Sequence, residues 1–439
     1  MKNPFLILLL SHIEQSGIQY AIIRDWEKIP DSMSGGDLDL WIDCNKYDQV
    51  KRIVQETLTQ TGGCLVSFLD NLMVPKYTFF AMEWGLQIDI CLTAVQIHCA
   101  NFLPDDFVQR HTISHNGYNV LSARADAYLA FLKEVINSGY SQKDEYITNF
   151  RKVLISSSQD EIRDNLNVYS DVTVKLIKNH VMDEDRHQFK ELQKALRKDI
   201  FPLINARYLH NQLMKWKRIF QHPGYVIAIM GTDGSGKTAI INALSPWLGE
   251  AFHNGVKYKH FRPGWLPDIG VILGKRTKED CSPEVVETPH AQDPSGFWGS
   301  LARLFYYLID YSLGYFRIVW RQIVAHTKVF VFDRYYYDYY IDARRYRIKL
   351  PHWILRVGEL LVPRPDVILC LGGVPEKIYV RKPETSLEEV TRQTEELKSF
   401  AAKRKNAVWI DTTQPIENSI RDAKAAILDV LSKRFKNIL

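Results

Sequence analysis

Residues 231 to 238 have the composition and spacing of a loop that binds phosphate groups. In order they are Gly231, Thr232, Asp233, Gly234, Ser235, Gly236, Lys237 and Thr238. The glycines allow backbone N–H groups to turn towards an anion, and the N-terminus of a following helix adds partial positive charge at the same place. Lys237 can then reach the β- and γ-phosphates of a nucleotide, and the Thr238 hydroxyl can bind Mg²⁺. The spacing therefore predicts a site for ATP and Mg²⁺.

The elements that must position this loop are a strand before it and a helix after it. The apolar run from Tyr225 to Met230 predicts a buried strand, and the residues from Ala239 to Leu248 predict a helix. The alternative is a glycine-rich turn in front of an ordinary helix. A strand, a glycine loop and a helix in register with the lysine and the threonine favour the nucleotide site.

A second apolar run, Val329 to Phe332, predicts another buried strand, and it ends in Asp333 and Arg334. An acid at the carboxyl end of a strand beside the loop can order Mg²⁺, and the arginine can neutralise charge on a transferring phosphoryl group. Upstream, Arg262 lies in an Arg-Pro-Gly turn, and arginine suits bidentate capture of an acceptor phosphate. A surface ion pair at the strand end is the alternative for Asp333 and Arg334.

The order of these motifs resembles the thymidylate kinase family of nucleoside monophosphate kinases. The resemblance implies that Lys237 stabilises the transferred phosphoryl group and that Arg262 holds the acceptor phosphate. It also implies that Asp333 and Arg334 serve Mg²⁺ and catalysis, and that Asp233 approaches the acceptor sugar.

The family places a mobile lid that carries arginines near the C-terminal end of the chain. Arg381 and Arg392 lie in the corresponding region and are expected to contact ATP. The chain departs from the family pattern in a long segment between Arg262 and Asp333 and in a run of tyrosines from 335 to 340. These tyrosines could stack on a sugar or base, or pack a helix against the sheet, and packing is favoured for most of them.

Near the N-terminus, Asp37 and Asp39 lie on a predicted strand and project to the same face. Two carboxylates this close repel each other unless a cation lies between them, and Mg²⁺ is the cation that such oxygen ligands favour. Asp89 lies inside another apolar strand, where a lone carboxylate is costly unless it is paired or bound to a metal. The three acids are therefore expected to be neighbours. The alternative is an exposed acidic strand with an incidental Asp89.

Gly35 and Gly36, the two aspartates that follow them and Asp89 together resemble the nucleotidyltransferases of the polymerase-β type. The resemblance implies two metal ions on Asp37, Asp39 and Asp89, which activate an attacking oxygen and stabilise the departing pyrophosphate. The segment from residue 22 to 30 fits a subgroup of these domains. A transferase fold that has lost activity and only binds its ligand is also open.

Length and composition indicate an α/β protein of two or three domains, because 439 residues exceed one ordinary core. We expect a nucleotidyltransferase-like domain at 1–120, a helical appendix at 121–220, and a kinase domain with a parallel sheet flanked by helices at 221–439. The six scattered cysteines indicate reduced thiols and a cytoplasmic protein. The net charge of +5 is too dilute to argue for nucleic acid, and no stretch predicts a membrane span.

The chain thus resembles bacterial proteins that join a nucleotidyltransferase-like region to a thymidylate-kinase-like region, often encoded among surface-polysaccharide genes. The resemblance implies a bifunctional enzyme that transfers the ATP γ-phosphoryl group to a phosphorylated or hydroxylated small molecule and also transfers a nucleotidyl group. The alternative is a regulatory protein with a slow ATPase and a non-catalytic N-terminal domain. The resemblance also implies that a homodimer can form through helices. The segment from Phe305 to Tyr315 is a candidate for this contact, and core packing explains that segment equally well.

Overall fold

The structure is a computed structural model that describes residues 3–27, 29, 37–71, 73–97, 100–140, 143–183, 189–201, 213, 216–253, 255–267, 269 and 293–439. Its strands are β1 (Tyr20–Ile22), β2 (Asp37–Ile42), β3 (Cys64–Leu69), β4 (Lys76–Phe80), β5 (Gly85–Cys91), β6 (Gln96–Ile97), β7 (Ala100–Asn101), β8 (Thr112–His115), β9 (Tyr118–Leu121), β10 (Tyr225–Gly231), β11 (Val256–His260), β12 (Val329–Asp333), β13 (Val367–Gly372) and β14 (Ala407–Asp411).

The helices are α1 (Pro4–Gln15), α2 (Tyr47–Thr61), α3 (Phe107–Arg110), α4 (Ala123–Ser138), α5 (Asp144–Ser156), α6 (Gln159–Asn165), α7 (Asp171–Met182), α8 (Lys190–Ile200), α9 (Lys237–Phe252), α10 (Phe297–Ile309), α11 (Arg321–Ala325), α12 (Asp338–Ile341), α13 (His352–Glu359), α14 (Pro375–Arg381), α15 (Leu387–Ala402) and α16 (Ile416–Arg434). A 3₁₀ turn covers Cys44–Lys46, and a π-helix covers Asp310–Trp320. Within the described part of the chain, none of the helices has the length and apolar content that a membrane crossing requires.

The N-terminal part of the chain is built on a seven-stranded mixed sheet in the order β3-β4-β5-β2-β1-β9-β8. β2 and β5 pair in parallel, as do β1 and β9, and the other neighbours are antiparallel. The predicted strands near residues 20, 38 and 86 are confirmed as β1, β2 and β5. Strands β3, β4, β8 and β9 were not predicted, although β3 and β4 complete the face that carries the acidic residues.

Helices α4 to α8 form the predicted helical part of the chain. Three of them begin at a serine whose side chain accepts a hydrogen bond from the first turn, namely Ser122, Ser158 and Ser170. Their apolar faces share a core with β1 and β5, which includes Tyr128, Phe131 and Phe150. This core covers the side of the sheet towards which Cys91 and Ile23 point.

The C-terminal part of the chain contains an all-parallel, five-stranded sheet in the order β11-β12-β10-β13-β14. β10 lies at its centre, and every residue of that strand is buried. Alternate residues of β10 face two different clusters: Ile227 packs with α9 and α16, whereas Ala228 packs with α10, the π-helix and α15. The predicted parallel sheet with helices on both faces is therefore confirmed. The carboxyl ends of its strands meet at one edge, where parallel sheets bind their ligands.

One apolar core runs between the two sheets. Helix α9 begins at the predicted phosphate-binding loop of residues 231–238, which is called the phosphate loop below. The helix packs against β4 and β5 of the N-terminal sheet. A Cβ atom on Gly85 would lie 2.7 Å from the backbone nitrogen of Ala251, so glycine is required at this contact. The Trp247 indole N–H donates to the Ala81 carbonyl at 3.2 Å. This packing of α9 on β4 and β5 was not predicted from the sequence. It joins the phosphate loop to the sheet that carries Asp37, Asp39 and Asp89.

The tyrosine-rich segments lie mostly in the core. Packing is confirmed for four residues of the run, which are fully or almost fully buried: Tyr335, Tyr336, Tyr337 and Tyr339. The earlier segment is divided between core and surface. Tyr307 and Tyr311 are buried, whereas Phe305 and Leu313 are 66% and 58% exposed, and Trp298 and Phe316 are also exposed.

Candidate functional site

The phosphate loop lies at the carboxyl end of β10, as the sequence predicted. Gly234 and Gly236 have φ angles of 80° and 81°, in the left-handed region that glycine adopts without strain. A Cβ atom on Gly231 would lie 2.4 Å from the Ser235 hydroxyl oxygen, and one on Gly234 would lie 2.6 Å from the Ile378 carbonyl oxygen. Gly234 is therefore required both by the turn and by close packing, Gly236 by the turn, and Gly231 by close packing.

Lys237 is folded back onto the loop. Its ammonium donates to the carbonyls of Gly231 at 2.9 Å and Thr232 at 2.8 Å, and its side chain is 10% exposed. Burial lowers the pKa of Lys237 to about 7, and the nearby Arg334 charge acts in the same direction. In the described part of the chain, the buried hydroxyls of Thr232 and Ser235 have no hydrogen-bond partner. The ammonium is thus held by carbonyls of the loop itself, whereas these two hydroxyls are unpaired among the described residues.

Asp333 ends β12 at the same edge of the sheet, and it pairs in register with Ile229 on β10. Its Oδ2 accepts from the Tyr258 hydroxyl at 3.1 Å and lies 3.5 Å from Nδ1 of His260. Its Oδ1 is buried and, among the described residues, has no hydrogen-bond partner. Although burial opposes ionisation, the His260 contact and the Lys237 charge hold the pKa of Asp333 at about 2. This ionised, half-paired carboxylate suits Mg²⁺, and Thr238 is exposed in the first turn of α9.

Two arginines meet at Asp233 inside the loop. Arg334 has a positive φ angle of 68° and is 4% exposed. Its guanidinium donates to Asp338 at 2.7 Å and to Asp233 at 2.8 Å. Arg345, which the sequence analysis did not single out, pairs with the second oxygen of Asp233. The alternative for these two residues, a surface ion pair of Asp333 with Arg334, is not what the structure has, because Arg334 is buried and pairs with Asp233 and Asp338.

Arg262 is engaged with protein groups. Its guanidinium donates to Asp310 at 3.0 Å and to the carbonyls of Leu266 and Pro267 at 3.0 and 2.9 Å. Asp310, the first residue of the π-helix, is completely buried and also accepts from the backbone N–H groups of 264, 265 and 266. These contacts fix the predicted Arg-Pro-Gly turn. Capture of an acceptor phosphate by Arg262 stays a prediction.

The two predicted lid arginines make other contacts. Arg381 donates to the Thr412 carbonyl at 2.9 Å, and Arg392 lies between two glutamates of α15 and donates to the Ile341 carbonyl at 2.9 Å. The end of α14 nevertheless covers the loop, because the Cβ of Lys382 would lie 3.2 Å from a Cβ on Gly234. The structure therefore brings Lys382 to the loop, a residue adjacent to the predicted one.

A second cluster of charges lies on the N-terminal sheet. Asp39 pairs in register with Asp89 across the parallel strands β2 and β5, and Asp37 pairs with Gln87 one step along the same face. This arrangement agrees with the expectation that the three acids are neighbours. From the C-terminal half, Nε2 of His253 lies 3.9 Å from the Asp37 carboxylate. Gly35 and Gly36, on which part of the resemblance rests, lie outside the described residues.

Asp89 is paired with a lysine. Lys76 on β4 lies in register with Asp89, and its ammonium forms an ion pair with Oδ2 of that carboxylate. Burial raises the pKa of Asp89 to about 6, and the Lys76 charge opposes this rise. Among the residues that the structure describes, no three or more His, Cys, Asp or Glu side chains form a group that could hold a metal ion. Because Asp89 is already paired with Lys76, these acids do not fit the arrangement of two metals on three carboxylates.

Comparison of the chain with models of protein families gives no match, and no curated protein sequence matches it.

Proposed function

We propose that the chain is an ATP-dependent phosphotransferase whose site lies at the carboxyl edge of the parallel sheet. One observation carries this proposal: the phosphate loop, the ionised Asp333 and the guanidiniums of Arg334 and Arg345 meet at that edge. A loop and helix N-terminus suit the phosphates of ATP. Asp333 and Thr238 would hold Mg²⁺, and a Mg²⁺ ion bound there would neutralise charge on the phosphates.

The residues of the site divide the remaining work between donor and acceptor. Lys237 leaves its carbonyl partners for the β- and γ-phosphates and stabilises charge on the transferred group. Arg334 and Arg345 favour an anionic acceptor, because a phosphate can replace the carboxylate of Asp233 as their partner. The acceptor class is a small phosphorylated or hydroxylated molecule.

The test is ADP release from ATP and Mg²⁺ across a panel of nucleoside monophosphates and sugar phosphates, with Lys237→Ala as the blank. Strong stimulation by one compound supports the kinase and identifies its acceptor. Tight ATP binding with slow turnover that no acceptor stimulates would instead support the regulatory protein.

For the N-terminal half we propose a nucleotide site on the face of β2 and β5, with nucleotidyl transfer as its reaction. Support comes from the register that places Asp39 beside Asp89 and Asp37 on the same face. The test is pyrophosphate release from nucleoside triphosphates by the full chain. Asp37→Asn is expected to remove this activity, and binding without pyrophosphate release would leave the site a nucleotide-binding site only.

ATP binding is expected to take up about one proton per chain near pH 8, because a lysine with a pKa near 7 is mostly neutral there and bound phosphates favour its ammonium form. Uptake should therefore increase, and affinity decrease, as the pH rises through the pKa of Lys237. Calorimetry in two buffers of different ionisation enthalpy measures this uptake after correction for the protonation of ATP itself. Lys237→Met provides the control, and equal uptake in that variant would assign the proton to another group.

We also propose a homodimer in which the large exposed apolar side chains of residues 298–316 are covered. These side chains are Trp298, Phe305, Leu313 and Phe316. The double variant Phe305→Glu/Leu313→Glu is expected to be a monomer in analytical ultracentrifugation, because charge on a shared apolar face opposes its burial. Phe220→Glu is the matched control, since Phe220 is 91% exposed on another segment. A wild-type chain that sediments as a monomer contradicts this proposal.

A further inference from the structure

Two rows of polar side chains cross the N-terminal sheet on the face of its acidic residues. Lys76, Asp89 and Asp39 are register partners on β4, β5 and β2, and they form the first row. Thr78, Gln87 and Asp37 are partners in the same three strands and form the second. Neighbouring strands lie about 4.8 Å apart, so the Lys76 ammonium reaches the acidic cluster without any change of backbone.

Both oxygens of Asp89 are already in use. Oδ2 forms the ion pair with Lys76, and Oδ1 accepts from the Gln87 amide at 3.5 Å. The Asp89 side chain is 6% exposed, whereas that of Lys76 is 31% exposed. A carboxylate this well buried requires a counter-charge, and the lysine provides one that is covalently attached to the fold.

A divalent cation on Asp89 would have to compete with this lysine. Because the lysine comes from the neighbouring strand, its local concentration does not depend on the metal concentration in solution. Entry of a cation beside the ammonium also brings like charges together in a partly buried site. Asp37 and Asp39 differ from Asp89, since neither is an ion-pair partner of Lys76.

We propose that the Lys76 ammonium is a permanent cation of the acidic cluster and takes the place of one of the two metals implied by the resemblance. Asp89 is the ion-pair partner of Lys76 and does not bind a metal. The cluster then accepts at most one divalent cation, through Asp37 and Asp39. The arrangement of charges follows from the register of the three strands β4, β5 and β2. Its role in catalysis rests on the proposed nucleotide site of the N-terminal half.

The test counts Mn²⁺ bound to the full chain by electron paramagnetic resonance of the free ion. Nucleotide is omitted, and an Asp333→Asn background removes the kinase-site carboxylate. We expect at most one Mn²⁺ per chain, with no change on Asp89→Asn. In Lys76→Met we expect one additional Mn²⁺, which is lost again in Lys76→Met/Asp89→Asn.

Lys76→Met leaves a buried carboxylate without its partner, and this variant can fail to fold, which circular dichroism would reveal. In that case Asp89→Asn decides alone, because it keeps the lysine and removes the charge. Two Mn²⁺ on the parent chain, one of them lost with Asp89→Asn, would overturn the proposal. Nucleotide binding in a Lys237→Ala chain is measured separately, so that failure of the N-terminal nucleotide site is distinguished from failure of the lysine inference.

Discussion

Replacing Lys237 with methionine is expected to reduce acceptor-dependent phosphoryl transfer by at least about 100-fold, the loss that follows removal of one group that stabilises transition-state charge. The ammonium lies inside the loop, 2.8 to 2.9 Å from two loop carbonyls, at the start of α9. Methionine keeps much of the side-chain volume but removes the charge and the two hydrogen bonds to the loop carbonyls. Circular dichroism of the variant checks that the chain remains folded. The measurement is the initial rate of ADP release with the acceptor that the panel identifies.

Lys433→Met is the matched control for this experiment. Lys433 is 68% exposed near the end of α16 and pairs with a residue one turn earlier, Asp429, so its loss should leave the rate unchanged. A Lys237→Met chain that keeps a rate similar to the parent would remove the loop from the mechanism. Equal loss in both variants would indicate a general effect of charge.

The same variant tests whether the two halves act independently. Lys237→Met is expected to keep pyrophosphate release by the N-terminal half, whereas Asp37→Asn is expected to keep ADP release by the kinase site. The structure gives a reason to test this, because α9 extends from Lys237 at the loop to the contact of His253 with Asp37. Loss of both activities through either single change would mean that the helix couples the sites.

The features that could be predicted from the sequence are those set by neighbouring residues. The phosphate loop is a continuous stretch of sequence. The apolar run before it predicts the strand β10, and the residues after it predict the helix α9. The strands β12, β13 and β14 are continuous apolar runs, as buried parallel strands are. Asp333 was found for the same reason, since it ends one of these runs.

The features that could not be predicted depend on partners distant in the chain. Arg345 pairs with Asp233 across 112 residues, and nothing in its local sequence separates it from the neighbouring Arg344. Lys76 meets Asp89 only because β4 pairs with β5 in one particular register. The contact of Arg262 with Asp310 could not be predicted either, because Asp310 looks in the sequence like an acid on an exposed helix face.

Trp247→Ala is expected to destabilise the chain by about 3–5 kcal/mol, the usual cost of removing a large buried aromatic side chain. Trp247 lies in α9, is 5% exposed and stacks on Phe80 of β4 with ring centroids 4.1 Å apart. Its indole N–H also donates to Ala81. Since this contact joins the two sheets, protection against hydrogen exchange should decrease in both halves of the chain. Urea unfolding gives the free energy, and hydrogen exchange of segments 64–91 and 225–252 shows where protection is lost.

Trp353→Ala is the matched control for the second experiment, because Trp353 is 66% exposed and is not part of the proposed dimer contact, so its removal leaves no cavity in the core. Domains joined by a small polar interface move and unfold separately, whereas a large apolar interface makes them one cooperative unit. The shared core therefore predicts that β5 and β10 lose protection together in Trp247→Ala. If only one of the two strands loses protection, the halves fold as separate units, and α9 cannot transmit the state of the phosphate loop to the acidic cluster.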